Sequence, residues 1–383
     1  MTKETCHILD PDGDVVLVLQ NPCTPFAVWA LSEEAGIQDL NARVTSATQL
    51  IYEEEMALAN EVEASEQPVL SEEPLGVEPM PPPDKCQKNT LNGEQAEAID
   101  TETSPIKFVL SSRHLILASR YFSAKLKGPW IEATVDSTNG QHPVQASEWD
   151  DQALLLLMRI IHGQNRKVPH KITLEMLAKI AVLVDYYDCH EAVDLVASIW
   201  IDSLKGCLPL QCNRDLILWL LISSVFRQPD IFLSATKTAI QESRAPLPPL
   251  ELPISLNVIS SIDHRRQEAI GSVVKGLKDL VSTLRKETPG CGSFECSSIM
   301  LGALLKQLGT HRLSQPRPKP PYLGYSLTTT LKSVRAFRSP EWAVPNVINS
   351  RWVQAHGCSL TNLIETVLGP IQSELEGLTL EDN

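Results

Sequence analysis

The stretch Ser104 to Leu126 (SPIKFVLSSRHLILASRYFSAKL) changes its hydrophobic period partway along, and this restricts the chain to folds in which a strand feeds a helix. Ile106, Phe108 and Leu110 alternate, as one face of a half-buried strand must. Leu115, Ala118, Ser119 and Phe122 then recur at three and four residues, the spacing of one helical face. The switch predicts a strand followed by one amphipathic helix, and hence an α+β fold. No catalytic group lies in it.

An earlier segment supplies a partner for that strand. His7 to Leu19 (HILDPDGDVVLVL) reads as an Asp/Gly/Pro turn feeding a β-branched run, stopped by Asn21, Pro22 and Pro25. One strand is expected there, pairing antiparallel with Ile106–Leu110. Between the two lies the source of the net charge. Residues 31–104 hold 17 Asp and Glu against 3 Lys and Arg, equal to the whole formal charge of −14, and the remainder balances at 30 of each sign. With Pro68, Pro74, Pro79 and Pro81–Pro83 and few aromatics, the tract at 31–103 is expected to be a disordered insert. No basic stripe accompanies it, so direct nucleic-acid contact is not expected.

After Leu126, Gly128, Pro129 and Asn139-Gly140 break the chain, and His142 to Trp149 offers a short strand. Asp150 and Asp151 sit where an acid caps the helix Gln152–His162, which Gly163 ends. Thr173 opens the next helix, and a last one presents Ala192, Leu195, Val196, Ile199, Trp200 and Leu204 inward. From Gly206 onward the pattern is helical, with Pro229 interrupting Arg214–Glu242 and His264–Arg285 forming an amphipathic helix. The most apolar run, Leu216–Phe226, is too short to span a bilayer. Nine cysteines without framework spacing and an N-terminus without an apolar run point to a reducing compartment, cytoplasmic or nuclear rather than secreted.

Phe108, Leu115, Ser119, Tyr121, Phe122 and Leu126 together resemble the BTB/POZ signature, in which a strand leads to an apolar helix carrying a Leu, a small Ser, an aromatic pair and a final Leu. Ser111 stands where many metazoan members carry His, which makes the likeness one to a fungal subfamily. Asp185 to Cys189 (DYYDC) is similar to the turn between the last two helices of that fold. Phe226–Phe232 (FRQPDIF), Leu252–Ile254 (LPI) and Cys291–Leu308 resemble the tail of the same fungal proteins. The resemblance implies a small sheet flanked by a helical cluster: a first strand in 1–30, the acidic insert at 31–103, the BTB/POZ core at 104–205 and a helical region at 206–383. It implies protein partners, a second copy of the chain foremost. A cullin ubiquitin ligase or a transcriptional or chromatin regulator is the alternative setting.

The remaining motifs are weighed by chemistry. Asp10, Asp12, Gly13 and Asp14 begin like a calcium loop, but the twelfth position is Asn21 where a bidentate Glu is needed, so a turn is expected. No Gly-rich phosphate loop or nucleophile elbow occurs, so neither an enzyme nor a cofactor is expected. Cys291 and Cys296 on a Gly-containing turn, with His356 and Cys358 in a later loop, are the residues with metal-ligand chemistry. Cys-x4-Cys is at the wide edge of zinc spacing and His-x-Cys is unusual, so packing as reduced thiols is the expectation set against it.

Overall fold

The computed structural model describes residues 5–22, 25–29, 104–128, 140–286, 291–314, 317–345, 353–355 and 357–382. The segment expected to be a disordered insert lies outside them. Four strands form one sheet in the order β1-β3-β2-β4: β1 is Thr5–Ile8, β2 Val15–Gln20, β3 Ile106–Leu110 and β4 His142–Ser147. β2 runs antiparallel to β3 in the register Leu17 to Phe108, while β1 lies parallel to β3 and β4 parallel to β2. The front of the chain therefore gives two strands where one is expected. The Asp10–Gly13 turn separates them: the Asp12 amide donates to Asp10 Oδ1 at 3.0 Å and that of Gly13 to the Asp10 carbonyl at 3.0 Å. A Cβ at Gly13 would stand 2.7 Å from the Leu110 carbonyl oxygen, so only glycine lets the turn close against β3.

Alternation decides which face of the sheet is covered. Val15, Leu17, Leu19, Phe108, Leu110 and Val144 are buried, and each contributes roughly 1.5–3 kcal/mol by leaving water. Against this face lie α1 (Ser112–Ala118), α2 (Arg120–Lys127), α3 (Asp151–Ile161), α4 (Leu174–Tyr187) and α5 (His190–Leu204). The single helix expected after β3 is thus two short ones. They break at Ser119, whose backbone is extended at φ −136° and ψ 126°. α3 starts as expected, with Asp150 accepting from the Ala153 amide at 2.9 Å, and it ends at Gly163, whose φ is +67°. α5 departs from expectation. Val193, Ala197, Trp200 and Ile201 face inward, whereas Leu195 and Ile199 are exposed. The buried stripe is rotated by about one residue, or roughly 100°, from the face read in the sequence.

The chain continues with α6 (Arg214–Val225), α7 (Pro229–Glu242), α8 (Leu256–Lys286), α9 (Phe294–Thr310), α10 (Leu327–Arg335), a hairpin of β5 (Ala343–Pro345) and β6 (Val353–Ala355), and α11 (Leu360–Ser373). Pro229 occupies the first turn of α7, where its missing N–H has no intrahelical partner to lose. α6 is apolar nearly all round because it packs on both α4 and α7, so the core runs unbroken from the sheet into the helical tail. Arg214 holds the return of the N-terminal segment, donating to the carbonyls of Phe26 and Ala27 at 3.0 and 2.8 Å and to Glu175 at 2.9 Å. Among the described residues no helix is long and apolar enough to cross a membrane.

Candidate functional site

Part of the sequence signature gathers around Ser119. Its hydroxyl donates to the Tyr187 carbonyl at 2.5 Å and accepts from the Phe122 amide at 3.0 Å. One side chain therefore caps α2 and ties the α1–α2 break to the end of α4. The Arg120 amide adds a second tie to the same turn through the Asp188 carbonyl at 3.2 Å, and Asp188 itself adopts the left-handed conformation, φ 44°. Around the hydroxyl, Phe122 stacks on Tyr187 with centroids 4.9 Å apart, while Tyr121 meets both rings edge-on. Burial and the neighbouring Tyr121 and Tyr186 push the Tyr187 phenol far above its ordinary range. Phe108, Leu115 and Leu126 complete the buried set. These six residues belong to the core or pack against it.

Two side chains from elsewhere in the fold hold the start of α1. Asp14 accepts from the Ser112 amide at 2.7 Å and from its hydroxyl at 2.6 Å, so the residue before β2, rather than the Ser111 side chain, satisfies the start of α1. Burial raises the Asp14 carboxyl, but the bonds from Ser112 outweigh it and hold the group below the usual carboxylate range. The Ser111 amide donates to His162 Nε2 at 3.0 Å. Neither partner is visible in the local sequence around Ser111.

The residues singled out for metal chemistry separate into two groups. Cys291, Cys296 and Cys358 come together, with their three Sγ atoms all within 4.8 Å of one another. His356 lies outside the described residues. Local chemistry places each thiol. Gly292, at φ +72°, turns the chain behind Cys291, and Ser293 caps α9 by accepting from the Cys296 amide at 3.3 Å. Cys296 is thereby fixed in the first turn of α9 and is buried, while Cys291 is exposed at the rim. Cys358 follows the β5–β6 hairpin and immediately precedes Ser359, the residue before α11; the Leu360 amide is bonded to Ser339 Oγ at 2.9 Å. No disulfide links the three.

The thiols differ electrostatically. Burial, then hydrogen bonding with Cys291 and Cys358, pushes Cys296 up to about 12. A bond from the Ser293 amide holds Cys291 below its ordinary value. By contrast Cys189, pushed up to about 12, and Cys212, pushed up to about 11, are raised chiefly by burial and have no such neighbours among the causes. Three thiols gathered at the starts of two helices can hold a thiophilic ion. Neither a protein-family model, a curated protein sequence nor a solved structure matches this chain.

Proposed function

We propose that the chain is a non-catalytic protein-interaction module of BTB/POZ type that self-associates. One observation carries the reading: Ser119, Tyr121 and Phe122 of the signature pack with Tyr187 around the Ser119 hydroxyl bond while Phe108, Leu115 and Leu126 are buried in the same core, in the element order strand, strand, strand, helix pair, strand, helix, helix pair. A second copy is the partner best suited to the surfaces at its rim. β1 is an edge strand, paired on one side with β3, and its Ile8 is 62% exposed. Leu117 on α1 is 88% exposed. Among the described residues no strand covers the outer edge of β1, and an exposed strand edge together with exposed apolar side chains is the kind of surface that pairing with another chain covers.

Sedimentation velocity on the full chain at micromolar concentration tests this. A dimer is expected, and Leu117→Glu is expected to shift it toward monomer without moving the thermal midpoint, since Leu117 supports nothing inside. A strictly monomeric chain rejects self-association. Affinity purification with and without residues 31–103 then locates other partners, a cullin ligase or a chromatin regulator included. Partners kept without the acidic segment are read by the folded part, and partners lost with it are read by that segment.

A further inference from the structure

The geometry points to a zinc site formed by Cys291, Cys296 and Cys358, with a structural role: it ties the start of α9 to the start of α11. The first argument is convergence. A residue 62 positions further along the chain than Cys296 brings its sulfur to within 4.8 Å of the other two. A disulfide would use two sulfurs and leave the third, whereas a metal uses all three. The second argument is distance. Zinc bonded to sulfur at about 2.3 Å in a tetrahedron separates the sulfurs by roughly 3.8 Å, so the thiols need to draw in by about 1 Å at most.

The third argument concerns charge. A metal requires thiolates: Cys296 lies in the first turn of α9 and Cys358 just before α11, where the amide ends of helices favour negative charge, and the dication itself supplies the charge that offsets the burial of Cys296. On binding, three S–H bonds break and their protons pass to solvent. Three Zn–S bonds form as waters leave the ion, and no electron moves. The fourth tetrahedral position goes to water or one further ligand. The softness of thiolates selects zinc over magnesium or calcium. The packing alternative accounts for Cys296 and the partly buried Cys358 but not for Cys291, which is exposed and gains nothing as a small hydrophobe.

The test uses the full chain, expressed with added zinc and purified under reducing conditions. Elemental analysis is expected to give one zinc per chain. Chelation should lower the thermal midpoint by roughly 5–10 °C, and added zinc should restore it. Cobalt(II) put in place of zinc should show thiolate-to-cobalt charge-transfer absorption. Cys296→Ser risks misfolding because the site is buried, so Cys291→Ser, at the exposed rim, is the deciding variant. It should lose the metal and the cobalt band while keeping its circular dichroism. Cys207→Ser, an exposed cysteine outside the cluster, should keep both. A folded wild-type chain that takes up neither zinc nor cobalt overturns the inference, as does full retention of metal by Cys291→Ser. So does a purified chain in which denaturant exposes two fewer thiols than the nine in the sequence, the mark of a disulfide.

Discussion

The sheet-bearing part, residues 5–29 and 104–204, and the helical tail, residues 214–378, each bury a polar centre, but of opposite kinds. In the first it is the neutral hydroxyl of Ser119, satisfied by one bond given and one received. In the second it is the guanidinium of Arg266, whose side chain is fully buried on α8. Five bonds hold that charge: two to Asp263 Oδ1 at 2.9 and 2.7 Å, and one each to the carbonyls of Pro321, Tyr322 and Tyr325 at 2.7, 3.1 and 3.3 Å. The difference follows from what must be held. Ser119 joins two ends of helices whose own faces are apolar and pack without it. Arg266 pins a connector of irregular backbone, whose carbonyls find few partners within a helix or sheet and need donors brought to them. The Pro-rich run before α10 is therefore fixed by one cation.

This contrast predicts an order of damage. Arg266→Ala should be the most disruptive, costing about 3–5 kcal/mol, because it removes the partner of the partly buried Asp263 carboxylate and the donor to the Pro321, Tyr322 and Tyr325 carbonyls at once. Urea denaturation of the wild type and variant measures it. The pair Arg266→Met with Asp263→Leu removes both charges and should recover part of the loss, since a packed apolar pair carries no desolvation penalty. Should Arg266→Ala unfold within about 1 kcal/mol of the wild type, the guanidinium does not hold the connector.

Ser119→Ala comes second, at about 1–3 kcal/mol, the cost of a lost cap and of a buried Tyr187 carbonyl left without its donor. The same denaturation series reads it. The Phe122–Tyr187 stack remains, so the loss should stay below that of Arg266→Ala. A reversed order would break the comparison between the two parts.

Legibility divides along the same line. The strand Ile106–Leu110, the cap at Asp150 and the stop at Gly163 were readable because period and cap chemistry are local. The break at Ser119 was not. Leu115 and Phe122, seven residues apart, fall on one face whether the helix is continuous or broken, and the carbonyl that settles it belongs to Tyr187, 68 positions on. The extra strand Thr5–Ile8 was hidden because its side chains are largely exposed and show no alternation. Leu195 and Ile199 were placed inward on periodicity alone, which gives a face but not its absolute direction. Arg266 carries no sequence signal of burial, since arginine on an amphipathic helix reads as surface. Of the metal candidates, the gathering of Cys291, Cys296 and Cys358 was legible as residue type and rough spacing, but not as depth. The burial of Cys296 depends on how α9 and α11 pack against α8.

The smallest effect expected is a pH dependence in the sheet-bearing part, centred on His162. A backbone amide can only donate, so the Ser111 contact fixes Nε2 as an unprotonated acceptor and Nδ1 as the donor to the Met158 carbonyl at 2.8 Å. Protonating Nε2 would set two N–H groups against each other. Burial lowers the imidazole from its ordinary value and the stacked His114 ring lowers it further, outweighing the Met158 carbonyl and Asp10, which raise it. The folded chain thus binds this proton less readily than the unfolded chain. The resulting stability is complete above about pH 6.5, the unfolded value, and is lost as pH falls below it through the folded one. His7, lowered chiefly by burial, adds a change of the same sign. His162→Gln isolates the contribution, because its amide oxygen can accept from Ser111 without titrating. Urea midpoints of both proteins at pH 7.5 and 5.5 provide the measurement, and the wild type should fall more. Equal falls would show that the Ser111–His162 bond does not couple folding to pH.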